Sequence, residues 1–238
     1  MSEGMASRPL WDLGRPGASA RAEFERRLAH DEARRQALFG RFLAPVVGAV
    51  TGPNPSTVAW QRGGQGEEQV GRFLSEAIGR GGIVLHDRSV PQSRSNIDHI
   101  AIVPSGVWVI DTKRYRGRVE QRGGWFRSAS LFVNRHDRTT LISAATAQRL
   151  LVQRAIGARV SVTSVLCFTD AEWGFMAKPF HVNEVLVTWP RRLASTLAGP
   201  GALERSHLEE MAATLSSAFP PYAPSGTSHS PTGAWPRR

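Results

Sequence analysis

A disulfide cannot form within this chain, because Cys167 is its only cysteine, and a disulfide-stapled secreted scaffold and a zinc-cysteine cluster are excluded with it. Cys167 lies in the apolar run "SVLCF" and reads as a buried, inert thiol. Long hydrophobic runs are missing too. The N-terminal "MSEGMASRPLWDLGRPG" has no basic patch before an apolar stretch, and "FLAPVVGAV" is broken by Pro45 and far too short to span a bilayer. The expectation is a soluble cytoplasmic protein without a membrane partner. The seven histidines show no metal-ligand spacing, and the 23 glycines never form a phosphate-cradling G-x-x-x-x-G-K-[ST]. Lysine is scarcer still: of 30 basic residues only Lys113 and Lys178 are lysines. Where arginine serves almost everywhere for positive charge, a lysine suggests a need for its compact, tunable ammonium.

What is present is a basic protein of 238 residues with net charge +10, enough chain for one sizeable core with appendages. Residues 51–170 carry 16 basic residues against 9 acids, whereas the flanking segments are nearly balanced. Such a middle segment favours a polyanion, nucleic acid being the commonest, although a generally basic solvated surface fits the charge equally well.

Residues 17–43 read as a charged helix carrying Phe24, Leu28, Leu38, Phe39 and Phe42, ending before Pro45. "GAVTGPNPST" reads as a linker, so that residues 1–57 form an N-terminal helical extension and linker. A compact domain is expected over 58–218, followed by a Pro/Ser/Gly-rich disordered tail over 219–238. At its start, "GGQGEE" reads as a turn leading into a short amphipathic helix with Val70, Phe73, Leu74, Ala77 and Ile78 on one side. That phase points Glu67 inward and Glu68 outward, where an ion pair with Arg72 is available. "GIVLHDRSV", "IDHIAIV" and "VWVIDTK" read as three strands of a meander, the last two joined by the tight turn "PSG". Alternation puts Asp98 with Ile100 and Ile102, sends His99 to the opposite face, and sets Asp111 and Lys113 on one face. Antiparallel pairing brings residue 98 near residue 112, so that Asp98, Asp111 and Lys113 converge.

Two neighbouring carboxylates in a low-dielectric setting repel unless a cation intervenes. Lys113 is one such cation, and oxygen-only ligands suit Mg²⁺ or Mn²⁺ as another; a salt bridge near a sheet edge is the simpler alternative. Further along, "LISAATAQRLLVQRAI" reads as a helix and "RVSVTSVLCF" and "VNEVLVTW" as strands. "SHLEEMAATLSSAF" reads as a last helix with a capping box of Ser206 and Glu209. The class is α/β (α+β): a mixed central sheet flanked by helices. Trp108, Trp125 and Trp173 read as core or rim packing.

The blocks "AWQRGGQGEEQVGRFL", "IDHIAIVPSGVWVIDTKRYRGRV", "GGWF" and "VLCFTDAEWG" together resemble the NERD (nuclease-related) domain of the PD-(D/E)xK nuclease superfamily, over roughly residues 58–190. The resemblance implies a restriction-endonuclease-like fold and a Mg²⁺- or Mn²⁺-dependent nuclease, acting on DNA rather than RNA. The family's Gly-Glu pair falls on Gly66 and Glu67, its Ile-Asp on Ile97 and Asp98, and its acid-x-Lys on Asp111 and Lys113. The superfamily's helical Gln falls on Gln148, which could equally be an exposed helix residue. Two positions depart from the pattern: Asp111 stands where the family usually has Glu, and Ile97 where the superfamily has Pro. The implied roles are metal binding by Asp98, Asp111, the carbonyl of Thr112 and Glu67, and positioning or deprotonation of the attacking water by Lys113. Arg114, Arg116, Arg118 and Arg122 would contact phosphates, or form a solvated basic loop. The other function class is a non-catalytic nuclease-fold module that binds nucleic acid or a protein partner.

Overall fold

The computed structural model describes residues 11–51, 55–93, 95–123 and 128–223, with the backbone alone at 35, 36, 38–51 and 55–60. Two sheets of mixed strand direction are flanked by helices. The chain opens with two long helices, α1 (Ala18–Thr51) and α2 (Pro55–Ile78). The meander follows as β1 (Ile83–Ser89), β2 (Asn96–Val103) and β3 (Gly106–Lys113). Next come β4 (Gly117–Arg122), β5 (Ser130–Val133), β6 (His136–Asp137) and α3 (Thr140–Ile156). The chain then forms β7 (Val162–Phe168), β8 (Ala171–Glu172), β9 (Phe180–Val182) and β10 (Val185–Thr188). It closes with α4 (Pro190–Leu197) and α5 (Arg205–Ala218). The main sheet runs β1-β2-β3-β7-β10-β9, antiparallel through the meander and parallel at β3–β7 and β7–β10. The second runs β6-β5-β4-β8 and hangs from the C-terminal ends of β3 and β7.

Strand alternation divides the core. Ile100, Ile102, Val107 and Val109 pack against Val152 of α3 and Leu208, Met211, Ala212 and Leu215 of α5. Ala101, Ile110, Val165 and Cys167 face Val70, Leu74 and Ile78 of α2 and Leu193 and Leu197 of α4. Each fully buried aliphatic side chain contributes roughly 1.5–3 kcal/mol, so both helical layers are held by their apolar stripes.

Several local expectations are corrected. α1 continues through Pro45 to Thr51, and α2 starts at Pro55, so residues 55–57 of the expected linker are helical. "GGQG" is not a turn but part of α2, and Gly64 serves close packing: a Cβ there would stand 3.1 Å from Ala20 Cβ. One at Gly71, two turns on, would strike Pro16 at 2.5 Å, so this stripe of α2 receives the segment leading into α1. "VNEVLVTW" is not one strand: Asn183 and Glu184 take positive φ (46° and 68°) in the turn between β9 and β10. α5 starts at Arg205 after Glu204, with no side-chain cap, and Glu209 pairs with Arg205 instead. Glu68 pairs with Arg21 of α1 rather than with Arg72. Trp125 and the tail from residue 224 lie outside the described residues.

Arg88 of β1 is fully buried, with no carboxylate of the described residues on its guanidinium. It donates instead to the carbonyls of Asp12 (2.8 Å), Ser216 (3.2 Å) and Phe219 (2.7 Å), and to Ser216 Oγ (3.0 Å). Burial lowers its pKa to about 10, still charged at neutral pH. Residues 219–222, expected as the head of the tail, lie along β1, where Tyr222 N–H bonds to Asp87 O at 2.9 Å.

Candidate active site

β2 and β3 pair with His99 opposite Ile110 and Val103 opposite Gly106, a register that one step further sets Asp98 against Asp111. The Thr112 N–H donates to Asp98 Oδ2 at 2.8 Å. In an extended strand the N–H and C=O of one residue face the same neighbour, so the Thr112 carbonyl also turns toward the Asp98 side. Asp111 and Lys113 share a face of β3, and Lys113 Nζ lies 2.5 Å from Asp111 Oδ1. Both aspartates are buried, at 8% and 5% exposure.

Glu67 arrives from α2. Gly66 beside it lies over Arg114 and Thr169, so the helix crosses the ends of β3 and β7, and Glu67 Oε2 is buried without a hydrogen-bond partner among the described residues. Burial, reinforced by Asp87 and Asp111 against the pull of Lys113, raises the Glu67 pKa from 4.5 to about 7. Asp98 is pushed well above the usual carboxylate range by burial, then by Glu67 and Asp111, against Lys113 and the Thr112 N–H. Burial alone would lower the Lys113 pKa, but the surrounding Asp111, Asp98 and Glu67 outweigh it and hold the ammonium charged. The structure therefore brings four of the expected residues into one electrostatic unit with more acid than base.

Gln148 stands at the margin. From α3 its Nε2 donates to Asn96 O at 3.1 Å, two residues before Asp98, while its buried Oε1 has no partner among the described residues. Three of the four arginines are engaged. Arg114 bonds Asp170 (2.8 Å), the Arg62 carbonyl (3.2 Å) and Gln65 (3.0 Å), whereas Arg118 and Arg122 share Glu120 at 3.1 Å each. Arg116 is exposed.

Two buried features escaped sequence reasoning. Asp87, at φ 47°, accepts from the Ser19 N–H (2.5 Å) and from Asn96 Nδ2 (2.8 Å), so it caps the start of α1 and adds its charge to Glu67. On the opposite face, as alternation predicted, His99 Nδ1 meets His86 Nδ1 at 3.0 Å, and His86 Nε2 meets Ser75 Oγ at 3.1 Å. The only signal for either was the three ionisable residues His86, Asp87 and Arg88 within the strand-like "GIVLHDRSV".

Among the described residues, no three His, Cys, Asp or Glu side chains stand together as a ready-made metal-ligand set. None of the helices described is long and apolar enough to cross a membrane. No curated protein and no solved structure matches the chain. Residues 62–169, which hold Glu67, Asp98, Asp111, Lys113 and Gln148, match the family model of the nuclease-related domain. With that match spanning the α2–β7 unit that builds the acidic cluster, residues 62–169 carry the nuclease-related domain (NERD), whose general class is PD-(D/E)xK.

Proposed function

We propose that this protein is a metal-dependent nuclease that hydrolyses phosphodiester bonds in nucleic acid, DNA rather than RNA. The observation that carries the reading is the concentration of Asp98, Asp111 and Glu67 around one ammonium, with Glu67 Oε2 buried and bare. Such excess negative charge suits a hard dication. The absence of a three-residue ligand set does not count against Mg²⁺ or Mn²⁺, because Mg²⁺ is commonly held by one or two carboxylates together with waters and substrate phosphate oxygens. Asp98, Asp111 and the carbonyl of Thr112 would hold the ion, with Glu67 directly or through water; when bound, it polarises the scissile phosphate and lowers the pKa of a water.

The chain's own residues supply the rest. Asp98 is fixed by the Thr112 N–H, which leaves Oδ1 for a ligand. Lys113, held charged by its carboxylates, orients the attacking water and offsets negative charge at the phosphate rather than taking a proton. Gln148 Oε1 is a free acceptor beside β2 for that water. Arg116, and Arg114, Arg118 and Arg122 by exchanging their carboxylate partners for phosphates, steer the backbone.

A second reading, binding without cleavage, is favoured by the low exposure of both aspartates. Cleavage of plasmid and single-stranded substrates with Mg²⁺ or Mn²⁺, comparing the unaltered chain with Lys113→Ala, separates the two. Cleavage lost in the variant is expected; equal activity in both, or binding without cleavage in either, rejects the enzyme.

A further inference from the structure

The second sheet leaves part of an edge open. β4 pairs with β5 along 119–122, but on its other side it meets β8 only at Gly117 and Arg118. Beside the open stretch runs a groove of about 510 Å³, walled on its far side by the loop from Trp173 to Phe180. The base of that loop is anchored: the Trp173 ring lies 4.7 Å from Trp189 and 6.3 Å from Phe180. Its tip is the reverse, with Phe175 completely exposed and Met176 at 85%. Two large apolar side chains held out in water on an anchored loop do nothing for the fold and mark a contact surface.

Charge identifies the partner. The sequence segment 114–138, within which β4, β5 and β6 lie, carries seven arginines against two acids, half of the chain's net +10. Arg118 lines the groove, and so does Lys178, the only lysine besides Lys113. Glu120 is the acid on this rim, and it is shared between Arg118 and Arg122. Position links the groove to the acidic cluster, since Arg118 is five residues beyond Lys113, within roughly 17 Å even for a fully extended chain.

We infer that the groove between the open edge of β4 and the 173–178 loop takes a single strand of nucleic acid running from the Asp98–Asp111–Lys113 cluster. Phe175, which stands exposed on the loop beside the groove rather than in its lining, stacks a base, and Arg118 and Lys178, which line it, take its phosphates. Stacking on an exposed ring requires an unpaired base, whereas a duplex keeps its base faces covered, so the groove discriminates by strandedness rather than by sequence. The inference rests on the nucleic-acid reading above and adds the substrate class. An extended peptide adding a strand to β4 is the competing occupant, and the basic rim disfavours it for any peptide that is not acidic.

The test uses the full chain without divalent metal and follows fluorescence anisotropy of labelled dT20 and of a 20-base-pair duplex. The double variant Phe175→Ala, Met176→Ala is expected to bind dT20 at least tenfold more weakly and the duplex within twofold of the unaltered chain. Phe175→Trp is expected to retain dT20 binding, with its added emission quenched on addition, and Lys178→Ala to weaken dT20 binding and flatten its salt dependence. Absence of dT20 binding, dT20 affinity within twofold in the double variant, or an equal loss on duplex overturns the inference. Cleavage with Mg²⁺ is scored separately. A Phe175-dependent dT20 binder that never cuts sinks the nuclease reading alone, and a nuclease indifferent to Phe175 sinks the groove alone.

Discussion

Lys113 Nζ lies 2.5 Å from Asp111 Oδ1, two residues back on the same strand face, and is the one cation among those that govern the charge of Glu67 and Asp98. Removing it therefore affects three acids at once. Lys113→Ala is expected to abolish metal-dependent cleavage and to destabilise the metal-free protein by about 3 kcal/mol at pH 8, the scale on which a buried pair loses one partner. Because protonating the carboxyls relieves the repulsion, the deficit measured by urea denaturation shrinks by pH 5. Equal deficits at both pH values would show that Lys113 acts by packing alone.

Glu67 has its own pH signature. Its pKa is raised from 4.5 to about 7, so the folded state holds a proton that the unfolded state has released. Stability is thus undiminished below about pH 4.5, falls as pH rises toward 7, and carries the full penalty above that, about 3 kcal/mol at ~1.4 kcal/mol per pH unit. Glu67→Gln removes the penalty. The variant should be more stable than the unaltered chain at pH 8 and no more stable at pH 4.5, as read from urea midpoints; a constant offset across the range disproves the linkage.

Divalent metal should relieve the same repulsion. Ten millimolar Mg²⁺ or Mn²⁺ is expected to raise Tm at pH 8, and by less at pH 6, where Glu67 and Asp98 hold protons the ion must displace. Asp98→Asn should abolish the rise. The readout needs no substrate, and a Tm indifferent to metal at both pH values counts against the ligand set.

Arg88 makes a prediction about stability alone. Its guanidinium meets three carbonyls and one hydroxyl from two distant segments, a fork that an ammonium cannot reproduce. Arg88→Met leaves those carbonyls buried and unpaired, and Arg88→Lys satisfies only part of them. Losses of about 3 kcal/mol or more and about 2 kcal/mol are expected from unfolding curves, at 1–3 kcal/mol per stranded polar group.

How far the site could be read ahead of the structure depends on the range of each interaction. Asp98, Asp111 and Lys113 were legible because period-two alternation and a short turn fix which side chains face each other, and residue 98 does fall near residue 112, whose N–H bonds Asp98 Oδ2. The inward direction of Glu67 followed from helical phase. The glycines of "GGQG" misled because a flexible residue that breaks an isolated helix also permits close packing, and Ala20, which comes close to Gly64, lies 44 residues earlier. Asp87, the His86–His99 pair and Arg88 owe their roles to partners up to 131 residues away, and no local pattern announces such contacts.

The buried guanidinium on β1 also bears on biosynthesis. Its acceptors at Ser216 and Phe219 are translated 128 and 131 residues after Arg88 itself. While those residues are still inside the ribosome, the first strand of the meander holds a cation that cannot be desolvated without loss. The guanidinium therefore keeps its water until α5 and residues 219–222 dock on β1, so its burial waits for the last part of the domain to emerge.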